Sequence, residues 1–258
     1  MAVSILVIVL FNALPDMLLK SGSGSPALAV LPLIGYLLVG VSGFLLVYQF
    51  WARRDSLKAR YGALSYQRIF PVGFAGITLV MSLAVHPFIR YWHLSPSFWA
   101  SSPLHFLVVP LEAYAGAAAP AVFWVRMAAA ALLTIAGLVI CIRSLQTFGV
   151  DYMTLVYLYF PEESRIQDHS IYSILRHPAY AGILTLARGG MCFTFTPYTI
   201  LFLLVFLAGF YIHIRCVEEK ELIARFGQSY RDYIKRVPAF FVRPGQVGAL
   251  LRFLVGAL

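Results

Sequence analysis

Residues 197–217 read PYTILFLLVFLAGFYIHIRCV, and residues 218–238 continue EEKELIARFGQSYRDYIKRVP. The first run holds one formal charge, Arg215, close to its end. A helix needs about 20 apolar residues to cross a hydrocarbon core, and this run supplies them. The second run reads as an amphipathic helix over 218–237. Leu222, Phe226, Tyr230, Tyr233 and Val237 recur every three to four residues, with Lys220, Arg225, Gln228, Arg231 and Lys235 between them. Polarity therefore switches at the Val217–Glu218 bond, and a membrane boundary is expected there. The helix beyond it is expected in the headgroup plane or across the mouth of a bundle, with Glu221 and Arg225 as an i,i+4 ion pair.

The rest of the chain agrees with that boundary. Of its 258 residues 60% are hydrophobic and only 12% charged, about half the charged fraction of a soluble domain; mean hydropathy is +0.80. This composition predicts an all-α, polytopic bundle of about six spans: 2–19, 27–51, 69–89, 121–146, 178–196 and 198–217. SGSGSP at 21–26 turns the first two into a hairpin. The 90–120 segment, broken by Pro103, Pro110 and Pro120, is expected to be interfacial or re-entrant. Residues 1–19 lack the basic n-region of a secretory signal, so a retained span is expected. VGALLRFLVGAL (247–258) is too short to span and is expected at the interface. Cys141, Cys192 and Cys216 lack metal or disulfide spacing and read as small core residues.

The net charge of +9 reports topology and gives no reason to invoke nucleic acid. Arg53, Arg54, Lys58, Arg60 and Arg68 crowd the 52–68 loop. Lys220, Arg225, Arg231, Lys235, Arg236 and Arg243 crowd the tail. Positive-inside counting places both on the cytoplasmic side, with both termini cytoplasmic.

ILRHPAYAGILTL, residues 174–186, shares that side. Pro178 suits a first helical turn and holds His177 out of the α region. Free N–H groups at that helix start favour an anion, and Tyr180 falls in the same turn. These residues also suit a plain interfacial belt, with Arg176 snorkelling to headgroups. Glu218 and Glu219 either favour the amino end of the following helix through its dipole or face a cation, Arg215 or a charged ligand. Spans 178–196 and 198–217 form a hairpin whose cytoplasmic ends bring His177 and Glu218 together.

IYSILRHPAYAGIL, an apolar hairpin, and EEKELIARFGQSYRDYIKRVP together resemble the C-terminal signature of isoprenylcysteine carboxyl methyltransferases and the related membrane phospholipid methyltransferases. Tyr172 takes the leading position; Arg176, His177, Pro178, Tyr180 and Gly182 take the centre. Glu218, Glu219, Leu222, Phe226, Gly227, Tyr230, Tyr233, Val237 and Pro238 take the rest. The resemblance covers about 165–240. It implies an integral, multi-pass membrane enzyme that transfers methyl from S-adenosylmethionine to a lipophilic acceptor entering from the bilayer, with the active site facing the cytoplasm. By position it implies Ile166, Gln167, Tyr172, His177, Pro178, Ala179, Tyr180 and Glu218 as the cofactor pocket. Arg215 falls to the substrate, Arg176 and Glu219 to the chemistry, and no metal is implied. Residues 121–245 would form the methyltransferase core, 1–120 accessory helices and 246–258 an interfacial tail. RIQDHSIY lacks the glycine of the family's L-V-T-x-G-x-Y, a difference that bears on the acceptor, whether prenylcysteine carboxylate, lipid amine or another lipophilic molecule.

Two other classes compete. Membrane sterol reductases share an H-P-x-Y-x-G motif and bind NADPH, but many have an acid after the glycine, where this chain has Ile183. A non-enzymatic scaffold is the third. His86, His93, His105, His169 and His213 have no ligand spacing and are expected to be interfacial or structural. Arg126 and Arg188 lie inside spans, where a charge faces the bundle interior or snorkels. Glu162 and Glu163 either cap a helix or border the pocket.

Overall fold

The computed structural model describes residues 31–93, 105–149 and 159–256. It is an all-α bundle without strands among these residues. The helices are α1 (Leu31–Ala52), α2 (Arg54–Tyr61), α3 (Ser65–His93), α4 (Ala119–Phe148), α5 (Pro178–Thr194), α6 (Pro197–His213), α7 (Glu219–Phe226), α8 (Gln228–Arg236) and α9 (Val247–Val255). The expected span 2–19 lies outside the described residues.

Among the described residues three helical stretches are long and apolar enough to cross a membrane: Arg54–Phe88, Gly116–Phe148 and Pro197–Phe226. Beside them run α1, and α5 with 17 residues, about 26 Å of helix and at the lower limit for a crossing. Trp124, Val125, Leu132 and Ile135 of α4 point outward, the face an integral membrane protein offers to lipid.

Small residues decide how closely α4 and α5 approach. A Cβ on Gly137 would lie 2.6 Å from the Leu186 nitrogen, and one on Gly182 would lie 2.6 Å from Cys141 Sγ. Where lipid supplies no hydrophobic drive between helices, such contact is a main source of association. One core joins Val80, Leu83 and Ala84 of α3 to Leu184 of α5 and Phe202, Phe206 and Phe210 of α6.

The hairpin forms as expected. Thr196 and Thr199 make a reciprocal capping box, with Pro197 at the first helical position. Residues 105–118 fold as short 3₁₀ turns at the opposite end of the bundle from residue 218, where Leu111 N–H donates to the Phe195 carbonyl (2.8 Å). At that end Arg126 donates to Glu112 (2.5 Å) and to the Cys192 (3.2 Å) and Phe193 carbonyls closing α5. Its charge is thus buried and partnered within a span. Arg188 lies over the Phe241 ring (5.3 Å).

Two expectations about 218–237 are corrected. There is no helix start at residue 218: α6 runs through a π-helical turn, Ile214–Glu218, directly into α7. The dipole account of the paired acids therefore falls away. Nor is 218–237 one helix. Gly227 (φ 57, ψ −128) breaks it into α7 and α8, a conformation glycine adopts without steric cost. The break folds the amphipathic face on itself, so that Leu222, Tyr230, Tyr233 and Val237 form one cluster. The pair is tied to the chain entering α5, where the Tyr233 hydroxyl donates to the Tyr172 carbonyl (2.6 Å).

The 52–68 loop lies at this same end of the bundle. Arg54 pairs with Glu221, which also takes the expected bond from Arg225, and Trp51 meets His213 edge-on (4.9 Å). Of the tail 247–258, α9 seats a buried Phe253 beside Ile140 and Tyr172, and Arg143 of α4 donates to the Phe253 carbonyl.

Candidate active site

Pro178 opens α5 and leaves His177 at φ −122, ψ 64, as a residue before proline must be. That bend exposes two backbone N–H groups, of Arg176 and His177, which donate to the carbonyls of Pro238 and Ala239 at 2.9 Å each. The Arg-His-Pro loop is thereby tied to the chain leaving α8.

The Arg176 guanidinium is buried and fully used. Its Nε and Nη2 donate to Glu219 Oε1 (3.1 and 2.5 Å), and its Nη1 to the Ile234 (3.1 Å) and Val237 carbonyls at the end of α8. The other Glu219 oxygen accepts from Arg215 Nη1 (2.9 Å). Glu219 thus joins both arginines expected at the site, and Arg215 pairs with it rather than with Glu218.

His177 stands between the two acids. Its Nδ1 lies 3.6 Å from Glu218 Oε1 and its Nε2 3.4 Å from Glu219 Oε1. Burial works against a charged imidazole here, but Glu218 and then Glu219 outweigh it and raise His177 to about 9. The ring is an imidazolium at neutral pH, and both its nitrogens face carboxylates.

Glu218 is the incompletely satisfied member. Its Oε2 is buried and has no hydrogen-bond partner among the described residues, a state that costs free energy unless a ligand completes it. Around it, Tyr180 sets its ring 5.9 Å from His177 and 4.9 Å from Phe210. Tyr172 packs on Phe148 (5.2 Å) and accepts a bond from the Tyr233 hydroxyl at its carbonyl (2.6 Å). Burial, and then the Glu218 charge, keeps the Tyr172 phenol protonated.

The remaining expected residues surround this centre unevenly. Pro178 is buried under the Arg-His-Pro bend, and the Ala179 carbonyl accepts a weak bond from Cys141 Sγ (3.7 Å). Ile166 packs against the Leu222–Tyr230–Tyr233–Val237 cluster. Half-buried Gln167 follows it on an extended segment beside α7, where Arg225 donates to the Ser164 hydroxyl (3.1 Å). Glu162 and Glu163 are exposed and border nothing at this centre.

His213, which shows no ligand spacing in the sequence, also lies beside this centre. It is buried, its Nε2 lacks a partner among the described residues, and its ring lies 6.2 Å from Tyr180. Five residues separate it from Glu218, a spacing that an ordinary helix puts on different faces. The π turn, bonded i to i+5, brings them onto one side. Among the described residues no cluster suits a metal ion.

Comparison with known proteins bears on this geometry. Residues 125–229 match the phospholipid methyltransferase family. A probable protein-S-isoprenylcysteine O-methyltransferase of Oryza sativa subsp. indica is 24% identical over 115 residues, 45% of this chain and 60% of the relative. Protein-S-isoprenylcysteine O-methyltransferase B of Arabidopsis thaliana is 28% identical over 93 residues, 36% of this chain and 47% of the relative. Methanethiol S-methyltransferase of Pseudomonas deceptionensis is 30% identical over 145 residues, 54% of this chain and 51% of the relative. The chain thus spans less than two thirds of each relative's length. No solved structure matches it significantly. The phospholipid methyltransferase match covers less than half of the chain, and it holds Tyr172, the Arg-His-Pro bend and the paired acids, the part in which this chain is similar to that family.

Proposed function

We propose that this protein is an integral membrane methyltransferase that uses S-adenosylmethionine and acts on a lipophilic acceptor, with its active site open to the cytoplasm. The carrying observation is Glu218: a half-buried carboxylate whose Oε2 is itself buried and lacks a hydrogen-bond partner among the described residues, held where two helix ends meet. A fixed cation satisfies that oxygen, and a sulfonium is one. S-adenosylmethionine supplies an activated methyl group for in-line displacement, so the protein's work is positioning.

The residues divide accordingly. Glu218 faces the charged end of the cofactor. Tyr172, Pro178, Ala179 and Tyr180 wall the pocket on the α5 side, and Ile166 and Gln167 close it beside α7. His177 spends both ring nitrogens on the acids, and so orients Glu218 while keeping it ionised. Arg176 and Glu219 are positioning residues, which lock α8 and the Arg-His-Pro bend into one unit. Arg215, half exposed at the same rim and paired with Glu219, stands at the mouth by which the acceptor enters. The basic 52–68 loop and tail sit at this mouth and give it the cytoplasmic orientation.

The test is a titration of S-adenosylmethionine into the purified protein and its Glu218→Gln and His177→Ala variants. Loss of a charge-assisted contact of about 1.5–3 kcal/mol weakens binding about ten- to a hundredfold in the first. A smaller loss follows in the second. Unchanged affinity in both removes the assignment, and binding of NADPH in place of S-adenosylmethionine favours a reductase.

A further inference from the structure

The described structure contains an apolar cleft of about 330 Å³ between α1, α3 and α6. Val41, Phe44, Leu45, Val205 and Ile212 line it, and several of these are exposed on the bundle's flank. Among the described residues no charged side chain lines it; its side-chain polar groups are the Tyr48 hydroxyl and the His213 imidazole. His213 and Val217 bring the cleft to the residue before Glu218. The Trp51 and Tyr180 rings both lie beside the imidazole (ring centroids at 4.9 and 6.2 Å).

Resting on the methyltransferase reading above, we propose that this cleft holds the methyl acceptor, that the acceptor is an uncharged lipophilic thiol, and that His213 takes its proton. A carboxylate arrives already ionised and needs a cation. The cleft offers none, Arg176 is consumed by Glu219 and two carbonyls, and Arg215 is tied to Glu219 at the solvent rim. A phospholipid headgroup fails for the same reason, since its phosphate has no counter-charge here. An amine arrives as an ammonium ion, and among the described residues the cleft lining has no carboxylate to receive that charge. A neutral thiol enters the cleft at no charge-burial cost, and its S–H matches a buried imidazole that has a nitrogen to spare.

In the step, the thiol proton passes to the free imidazole nitrogen of His213 while the acceptor sulfur's electron pair forms a bond to the sulfonium methyl carbon. The old carbon–sulfur bond breaks with its pair returning to the donor sulfur. The products are a methyl thioether and S-adenosylhomocysteine, and the imidazolium releases its proton to solvent. Atoms and charge balance without an oxidant.

The experiment uses the full chain in lipid nanodiscs with a diazirine-bearing alkanethiol, mapped by mass spectrometry. Label is expected on α1 and α6 around Val41 and Ile212, competed by octanethiol and not by octanoate, and lost in Val41→Trp while S-adenosylmethionine affinity is unchanged. In parallel, methyl-labelled cofactor with octanethiol gives octyl methyl sulfide. His213→Gln lowers that rate about a hundredfold or more and leaves cofactor affinity within twofold. Label spread evenly along the lipid-facing side of α4, competition by octanoate, or equal methylation of octylamine or octanoate overturns the proposal. A wild-type protein that does not bind S-adenosylmethionine removes the methyltransferase reading. One that binds it yet takes no label in the cleft removes this inference alone.

Discussion

Replacing Arg176 with methionine is the sharpest test of how the site is held. The side chains of Arg176 and Glu219 are 5% and 2% exposed, with two nitrogen–oxygen contacts between them. Removing one partner of a buried pair strands the other charge and costs about 3–5 kcal/mol. Loss of the bonds to the Ile234 and Val237 carbonyls argues for the upper part of that range. For a chain of this length each kcal/mol moves the midpoint by about 2–4 °C, so thermal unfolding in detergent should drop by roughly 6–20 °C. Arg215→Ala is the control: it breaks a contact to the same carboxylate, but its cation is 52% exposed. It should cost no more than about 1 kcal/mol. Arg176→Lys keeps the charge but loses the fork, and should fall between the two. The Arg176→Met/Glu219→Leu double variant should regain part of the loss, because neither charge is stranded. A single variant that melts within a degree of wild type, or a double variant whose loss is the sum of its singles, would refute a coupled, buried pair.

Three further outcomes follow from the same geometry. His177 is raised from its ordinary 6.5 to about 9, so its ion pairs contribute fully below about 6.5 and are lost as pH rises through about 9. Stability and cofactor affinity should both decline across that window, and His177→Gln should flatten the decline in melting temperature; a profile unchanged by the variant would disprove the assignment. Gly227→Ala meets no atom within 4 Å but keeps a φ of 57, so its cost is purely conformational, about 1–3 kcal/mol by thermal unfolding. Gly245→Ala, at an ordinary φ and equally uncrowded, should lie within about 0.5 kcal/mol of wild type. Gly137→Ala drives a methyl into the α5 backbone and should cost about 1–3 kcal/mol. The uncrowded Gly35→Ala should not, and equal melting points for the two would contradict the close α4–α5 approach.

Much of this protein is legible in its residue order because the signals are local. An apolar run as long as 197–217 has few places to go but a bilayer, and Thr196-Pro197 and His177-Pro178 mark where helices begin whatever surrounds them. The hairpin they delimit already implies that residues 177 and 218 meet at one end. What stayed hidden depends on groups far apart in the chain. The 218–237 stretch reads as one amphipathic helix because its period continues through Gly227, and only the cluster formed by Leu222, Tyr230 and Tyr233 makes the break favourable. Glu218 and Glu219 are adjacent and chemically identical on paper. The fold separates them, giving Glu219 two arginines and leaving one oxygen of Glu218 without a partner among the described residues. His213 shows no ligand spacing in the sequence, and regular helix spacing turns it away from Glu218; the π turn that brings the two together is a product of packing that a hydropathy pattern does not record. Helix existence and the membrane boundary thus follow from the chain's own hydrophobicity, whereas the partner each buried charge finds is settled by desolvation within the assembled bundle.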